Sequence, residues 1–527
     1  MTATKSSAAA LALALGVLYV GLRWGSTVAG GSDSSGYVVQ SGLWQARGLI
    51  VRQEIVSDSP WPFAAQTWTP LGFVPSPRVR DAIVPSYAPG YPLLMALAQL
   101  IAGYCAAFVV APLCGAFTIW STYQLGRRLF ASTAIALGGA LLVAASPVFL
   151  HQLMNPMSDV PVTAAWTTAL WLAIAQYPLG AGVASAIAIA IRPNLAPLIA
   201  VLFAWLAATN RVAIVRAAVG VVPALVGIAL LNAYLYGSPF RSGYGSLAEI
   251  YALGNVSSNV RLYSAWLMDV QTPVVVLAAL FFVAPGLVAT RIRAPRILLG
   301  GTIGVMVASY LFYTPFDAWW YLRFLLPMWP VLLLLTVAVL AASAARVAPQ
   351  ATRARAIAVS TIIAAVAVHG VWIAVDRGAF AIGAGERRYA EVGRFLAHLT
   401  DPDAVMLSWQ QSGSLRMYAD RLTLRFDVMD PRWLDRAVAY LQTSGRHPYL
   451  VLDGGEDGAF RRRFAASRIG ALDWQPIAVY DTPRVAIYDA IDRTNQHAPL
   501  VLGRDDDDRA PWRCEKPQIW PPRLRMK

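Results

Sequence analysis

Charge is scarce in this chain. Only 14% of its 527 residues are Asp, Glu, Lys or Arg, against about a quarter in ordinary soluble domains. Acid is scarcer still over the first three quarters, where residues 1–375 hold 8 Asp or Glu and 20 Lys or Arg. Such a stretch cannot be the solvated surface of a cytosolic enzyme. Histidine (5) and cysteine (3) are also few, and no His/Cys cluster carries zinc spacing. Cys105 and Cys114, nine positions apart on one apolar helix, lie about 13 Å apart at 1.5 Å per residue, beyond disulfide reach. Cys514 stands alone, so no bridge is expected. No glycine loop ends in G-K-[ST], which excludes a phosphate loop of that kind.

What the chain has instead is apolar length. Hydrophobic residues make up 57%, in long uncharged runs that read as a polytopic α-helical membrane protein. The net charge of +14 reads as arginine placed at the inner ends of helices, not as a nucleic-acid surface. The run Ala8–Leu22 follows Lys5 and has no small-residue cleavage site behind it, so it reads as a retained first helix and not a signal peptide. Further spans are expected near 104–126, 131–150, 160–177, 180–192, 194–209, 212–235, 270–290, 296–313, 324–345 and 356–375, about 11 in all. Tyr91–Gly103 is too short to cross and reads as an interfacial or re-entrant helix. The spans 180–192 and 194–209 meet at Arg192-Pro193, where proline breaks the helix; a break at membrane depth has to line a cavity.

Orientation follows from charge. With the amino terminus inside, Lys5, Arg127, Arg128, Arg211, Arg216, Arg291, Arg293, Arg296, Arg346, Arg353 and Arg355 all fall on the inner side, unaccompanied by acid. The eight acids, Asp33, Glu54, Asp58, Asp81, Asp159, Glu249, Asp269 and Asp317, all fall outside. The expected organisation is a membrane domain over 1–375 with a first outer loop at 24–103, then an extracytoplasmic α/β domain over 385–494. In the latter, a helix at Glu386–Leu399 precedes strands at Ala404–Ser408, Leu422–Phe426, Tyr449–Asp453 and Val485–Asp489, with helices at Arg432–Thr443 and Glu456–Arg468. Residues 495–527, with the run Asp505–Asp508, read as a flexible tail.

An ionisable side chain next to hydrocarbon is costly, on the order of 3 kcal/mol at a helix centre, so the few present are functional candidates. Asp33 follows the first helix in Gly31-Ser-Asp-Ser-Ser-Gly-Tyr37, and Asp159 sits in Asn155-Pro-Met-Ser-Asp-Val-Pro161. Both fall at the same membrane level, where one cavity would unite them; each also suits a helix N-cap, and both readings stand at this point. Arg192 and Arg323 are the matching cations, with interfacial snorkelling beside Trp319, Trp320 and Tyr321 as the ordinary reading of Arg323. Tyr37, Tyr87, Tyr91, Tyr244, His151 and Asn155 would line the same pocket, although a tyrosine at an interface or a histidine at a helix end is ordinarily structural. Asp401-Pro-Asp403 spells D-x-D but reads as a turn. Arg461-Arg-Arg463 reads as a solvated helix face.

Several of these landmarks, in order, resemble the GT-C superfamily of membrane glycosyltransferases, in its protein-mannosyltransferase and aminoarabinose-transferase-like branch. They are Ser32-Asp33-Ser34, Tyr87-Ala-Pro-Gly-Tyr-Pro92, Tyr123-Gln-Leu-Gly-Arg-Arg-Leu-Phe130, Met157-Ser-Asp-Val-Pro161, Ile191-Arg-Pro-Asn194 and Trp320-Tyr-Leu-Arg-Phe-Leu-Leu-Pro327. The resemblance spans about 30–375. Ser408-Trp-Gln-Gln-Ser-Gly413 and Tyr418-Ala-Asp-Arg421 look like the domain that follows in many relatives. It implies an inverting transferase in the inner (cytoplasmic) membrane, moving a sugar from a polyprenyl-phosphate donor to a protein, lipid or glycan acceptor at the outer face. In that chemistry Asp33 is the base, Asp159 a second catalytic residue that positions the acceptor or pairs with one of the arginines, and Arg192 and Arg323 hold the donor phosphate. Relatives often carry a second acid directly after the loop-one Asp; Ser34 stands there instead, which weakens a role for a divalent cation, an otherwise open possibility. The rival class is a secondary transporter or lipid flippase, since broken helices also mark transporters; against it stand the absence of an internal repeat and the clustering of charge at one face.

Overall fold

The computed structural model describes residues 3–502 and 514–517. Among them, five helices are long and apolar enough to cross a bilayer, including Ala3–Trp24, Val212–Tyr236 and Thr352–Asp376. Two further apolar pairs are sharply bent. Thr133–Ala144 and Pro147–Leu153 meet at 59°, and Leu253–Gln271 and Pro273–Val283 at 114°. Each bend falls at a proline, which cannot continue the hydrogen-bond ladder and bars the preceding residue from the helical region. Thr272, before Pro273, sits at φ 67. The single straight span expected at 270–290 is therefore replaced by a tight turn and a short helix ending at Val283.

Shorter apolar helices fill the body: Gly90–Ala102, Pro178–Ile191, Pro193–Thr209 and Arg296–Leu311. Pro178–Ile191 crosses Val212–Tyr236 at backbone contact, because a Cβ on Gly182 would strike the Ala217 carbonyl; small residues of this kind are how apolar helices gain packing without a hydrophobic drive. Outward faces stay apolar, with Val215, Val219 and Leu230 exposed. In water that exposure would be ruinous; in lipid it costs nothing. The molecule is a multi-pass membrane protein.

The first loop carries the helix Asp33–Gln45 and three short antiparallel strands, β1 (Val51–Arg52), β2 (Phe73–Pro75) and β3 (Ala82–Pro85), ordered β1-β3-β2. Its Trp61 and Trp68 are buried in one core with Val405, Leu407 and Phe426 of the carboxy-terminal region. Backbone bonds join the two as well: Arg425 donates to Thr67 at 2.6 Å, and Leu71 to the Ser412 hydroxyl at 3.1 Å. The loop is thus clamped from above.

That clamp is a six-stranded sheet ordered β5-β4-β6-β8-β7-β9. Its strands are β4 (Val405–Ser408), β5 (Leu422–Leu424), β6 (Pro448–Asp453), β7 (Ala478–Asp481), β8 (Arg484–Asp489) and β9 (Leu500–Leu502). Helices Ile382–Leu399, Ser412–Tyr418, Leu434–Thr443 and Glu456–Arg463 accompany them. Arg461 donates to the Ala471 and Leu472 carbonyls, and Arg463 to Met429 at 2.7 Å. Two of the three arginines read as a solvated face thus tie loops together.

Two expectations for the last residues are corrected. Strand β9 pairs in parallel with β7 within the stretch read as a flexible tail. Cys514 forms a disulfide with Cys105, 409 residues away. The spacing argument dealt only with Cys105 and Cys114; it had no access to a partner brought back by the fold. Cys114 is the free thiol among the described residues. Asp505–Asp508 lies outside the described residues.

Candidate active site

Asp33 and Asp159 each open a helix, Asp33–Gln45 and Asp159–Ile174. A carboxylate in a first turn is favoured by the exposed backbone N–H groups there. Neither acid is the capping residue, however: Ser32 and Ser158 hold that place, and neither makes a side-chain cap bond. The carboxylates are directed to arginines. This removes the plain capping reading of both.

The four charged groups form one alternating chain. The Arg323 guanidinium donates to Asp33 Oδ2 at 3.1 Å and approaches Asp159 Oδ2 at 3.9 Å, while Arg192 donates through Nη2 to Asp159 Oδ1. Asp33, Arg323, Asp159 and Arg192 follow one another with signs opposed at each step, although the chain separates them by up to 290 residues. Exposure differs among them: the Asp159 side chain is 0% exposed, Arg192 12%, Arg323 14% and Asp33 31%. Only Asp33 presents substantial surface. Paired buried charges of this kind are tolerable because each neutralises a neighbour.

The backbone explains Arg192. Helix Pro178–Ile191 ends there, with Arg192 extended at φ −140, ψ 94 ahead of Pro193. Its Nε also reaches the Ser158 hydroxyl at 3.4 Å. Arg323 lies in the tight turns of Trp319–Met328, with Phe324 stacked parallel to Tyr310 at 5.0 Å. The guanidinium groups of Arg192 and Arg323 lie 5.8 Å and 5.4 Å from the Phe324 ring, a cation–π arrangement that holds both forks without spending their donors. Arg192 Nη1 and Arg323 Nε are buried donors with no hydrogen-bond partner among the described residues, and Asp159 Oδ2 is a buried acceptor without one. Buried polar atoms are almost always paired, so the site is incomplete as it stands.

Around Asp33 stand the tyrosines. Tyr87 donates to Asp33 Oδ1 at 2.7 Å and lies 3.0 Å from the Ser32 hydroxyl. Tyr37 packs on Tyr87 at 4.5 Å and on Tyr91 at 5.1 Å between ring centres, and donates to Ser158 at 3.0 Å. Tyr244, from the loop after Val212–Tyr236, meets Tyr87 at 5.9 Å. His151 is held beside the chain, stacked on Trp320 at 5.9 Å and edge-on to Trp319 at 5.1 Å. Asn155 is the exception. Its recorded polar contact is its carbonyl, which accepts from Met157 in the same turn; nothing among the described residues links its side chain to the charged chain.

Ser158 and Phe324 are the residues sequence reasoning missed. A serine beside an acid and a phenylalanine in an apolar run carry no signal of their own. The same holds for Asn194, which donates to Tyr310 at 2.7 Å.

The donor set does not suit a divalent cation. Both carboxylates are committed to guanidinium groups, which would repel a second cation, and no cluster of three metal-ligating side chains occurs among the described residues. The site sets unpartnered guanidinium donors next to an accessible carboxylate.

No protein-family model matches the sequence, and no curated protein matches it. Solved structures do. ArnT from Cupriavidus metallidurans, an aminoarabinose transferase, superposes at a TM-score of 0.56 with 14% identity, covering 94% of this chain and 100% of its own. The form of ArnT bound to undecaprenyl phosphate gives 0.57 with 13% identity over the same shares. AglB, the oligosaccharyltransferase of Archaeoglobus fulgidus, in complex with an inhibitory peptide and a dolichol-phosphate, gives 0.53 with 13% identity over 91% of this chain and 74% of AglB. The chain therefore shares the fold of these membrane transferases. ArnT matches along its full length.

Proposed function

We propose that this chain is an inverting glycosyltransferase that moves a sugar from a polyprenyl-phosphate donor to an acceptor at the outer face of the inner (cytoplasmic) membrane. The observation that carries the reading is the Asp33–Arg323–Asp159–Arg192 chain, with one accessible carboxylate at its end and unused guanidinium donors within it. ArnT in complex with undecaprenyl phosphate and AglB in complex with a dolichol-phosphate share the architecture. AglB was also solved tethered to an acceptor peptide; protein, lipid and glycan acceptors all supply a nucleophile this site could activate.

In the proposed reaction Asp33 takes the proton from the acceptor as the acceptor oxygen attacks the anomeric carbon. The bond from that carbon to the phosphate oxygen breaks, and the electron pair leaves with the lipid phosphate. Arg192 and Arg323 meet the charge that develops there, with planar forks matched to phosphate oxygens. Asp159 touches neither reacting atom; it positions both guanidinium groups and cancels part of their charge. Tyr244, the exposed one, supplies a ring face on which a sugar stacks, and the buried Tyr37, Tyr87 and Tyr91 pack behind it. One displacement inverts the anomeric centre.

The outer location draws support from two sources. The inner ends of the helices are basic and the acids collect at the other end, and the Cys105–Cys514 disulfide belongs to an oxidising compartment. The test is sugar transfer by the purified protein in detergent, without any gradient, from a polyprenyl-phosphate sugar. Transfer that is lost in Asp33→Asn supports the reading. Substrate uptake into sealed vesicles with no transfer in detergent would replace it by transport.

A further inference from the structure

A second polar cavity lies at the far end of the helical body. It has a volume of about 290 Å³ and is lined by Gln176, Trp205, Thr209, Asn210, Arg291 and Arg293 among others. Helix Asp159–Ile174 begins at the charged chain and ends at this cavity, 16 residues later, or about 24 Å at 1.5 Å per residue. Pro197–Thr209 likewise runs from beside the Arg192 break to the cavity wall. The cavity is thus in the opposite leaflet from the candidate active site.

Its arginines are presented, not incidental. The Arg291 backbone N–H donates to the Leu129 carbonyl at 2.8 Å, and Trp205 Nε1 donates to the Arg293 carbonyl at 2.9 Å. These bonds pin the connecting segment while leaving both guanidinium groups exposed and without a salt bridge among the described residues. Gln176, in the lining, and Ala294, the residue after Arg293, take left-handed backbone (φ 65 and 48), a conformation uncommon for side-chain-bearing residues. Asn210 and Gln176 meet at 3.5 Å, adding amide donors beside the guanidinium pair. Buried Trp205 supplies an apolar wall beneath them. Two forks, two amides and a hydroxyl over an indole suit a phosphate ester that continues into an apolar tail.

We infer that this cavity binds the phosphate group of an anionic phospholipid from the leaflet opposite the candidate active site. The inference requires the helical body to lie in a bilayer but uses no catalytic assignment, so its failure would leave the proposed transferase untouched. Free inorganic phosphate offers the same chemistry without the tail. General attraction of a basic face for an acidic membrane is the third possibility, and a control pair separates it.

The experiment is native mass spectrometry of the full-length protein in detergent, titrated with phosphatidylglycerol or with inorganic phosphate. The R291A/R293A protein is compared with wild type and with R353A/R355A, which removes equal charge from Thr352–Asp376, outside the cavity. The expected result is phospholipid retention weakened on the order of tenfold in R291A/R293A, near wild-type retention in R353A/R355A, and recovery in R291K/R293K. R291K/R293K also guards against misfolding of the alanine pair. Equal losses in both alanine pairs would reduce the effect to diffuse attraction and overturn the proposal. Binding of inorganic phosphate with no phospholipid retained would overturn it as well.

Discussion

Asp33 and Asp159 are both aspartates at the first position of a helix, yet their surroundings give them different work. Asp33 is partly exposed and accepts from Tyr87 and Arg323. Asp33→Asn keeps an oxygen acceptor but cannot take a proton, so transfer should fall by at least about 10² to 10⁴ with the thermal midpoint unchanged; turnover assays and melting curves on one preparation check this. Asp159 is fully buried between two arginines. Asp159→Ala leaves two cations facing each other and should cost about 3–5 kcal/mol of stability, visible as a lowered midpoint before any activity is measured. Arg192→Ala should raise KM for the donor far more than for the acceptor; equal changes would argue against a phosphate role. These four charges were legible in the sequence because a charge beside hydrocarbon is expensive enough to demand a reason. Ser158, Phe324 and Asn194 were not, since their contributions arise only from where the fold sets them. Asn155 looked equivalent to His151 in the sequence, but it is His151 that packs on the Trp319 and Trp320 rings beside Arg323.

At the scale of elements, the helix limits near 24, 209 and 376 followed from charge, and the break after 191 followed from the proline at 193. Bends were harder. The proline at 273 was visible, but the 114° turn depends on what packs against it. In the sheet, the strands read at 404–408, 449–453 and 485–489 correspond to β4, β6 and β8 because they are apolar runs between turn residues. Strand β9 and helix Ser412–Tyr418 escaped notice, being three and seven residues long, too short for a period to register.

Two helices carry a pH response. Glu386 on helix Ile382–Leu399 and Glu456 on Glu456–Arg463 are each pushed up by burial to about 7 from an ordinary 4.5. Between those values the fold keeps a proton that the unfolded chain releases. Stability should therefore fall as pH rises from about 4.5 to 7 and level off above. Unfolding midpoints across that range should show the slope, and E386Q/E456Q should flatten it; an unchanged slope would locate the response elsewhere.

On the scale of the whole molecule, three bodies meet at one place: the helical bundle, the first loop, and the sheet region pressing on that loop through Trp61 and Trp68. The disulfide joins the start of the helical stretch Tyr104–Leu129 to Cys514 beyond the sheet, closing the outermost of these contacts. Cys105→Ser should lower stability by about 2–4 kcal/mol. Cys514→Ser should do the same, and the double variant should cost no more than either alone, as thermal melts of the three proteins would reveal.

That clasp also imposes an order of events. Its two halves leave the ribosome 409 residues apart, so the first thiol must wait, unlatched, while the intervening polypeptide is made. A product interrupted before residue 514 would arrive with its hasp open, chemically distinguishable from the finished article by a free sulfur at 105 in addition to that of Cys114.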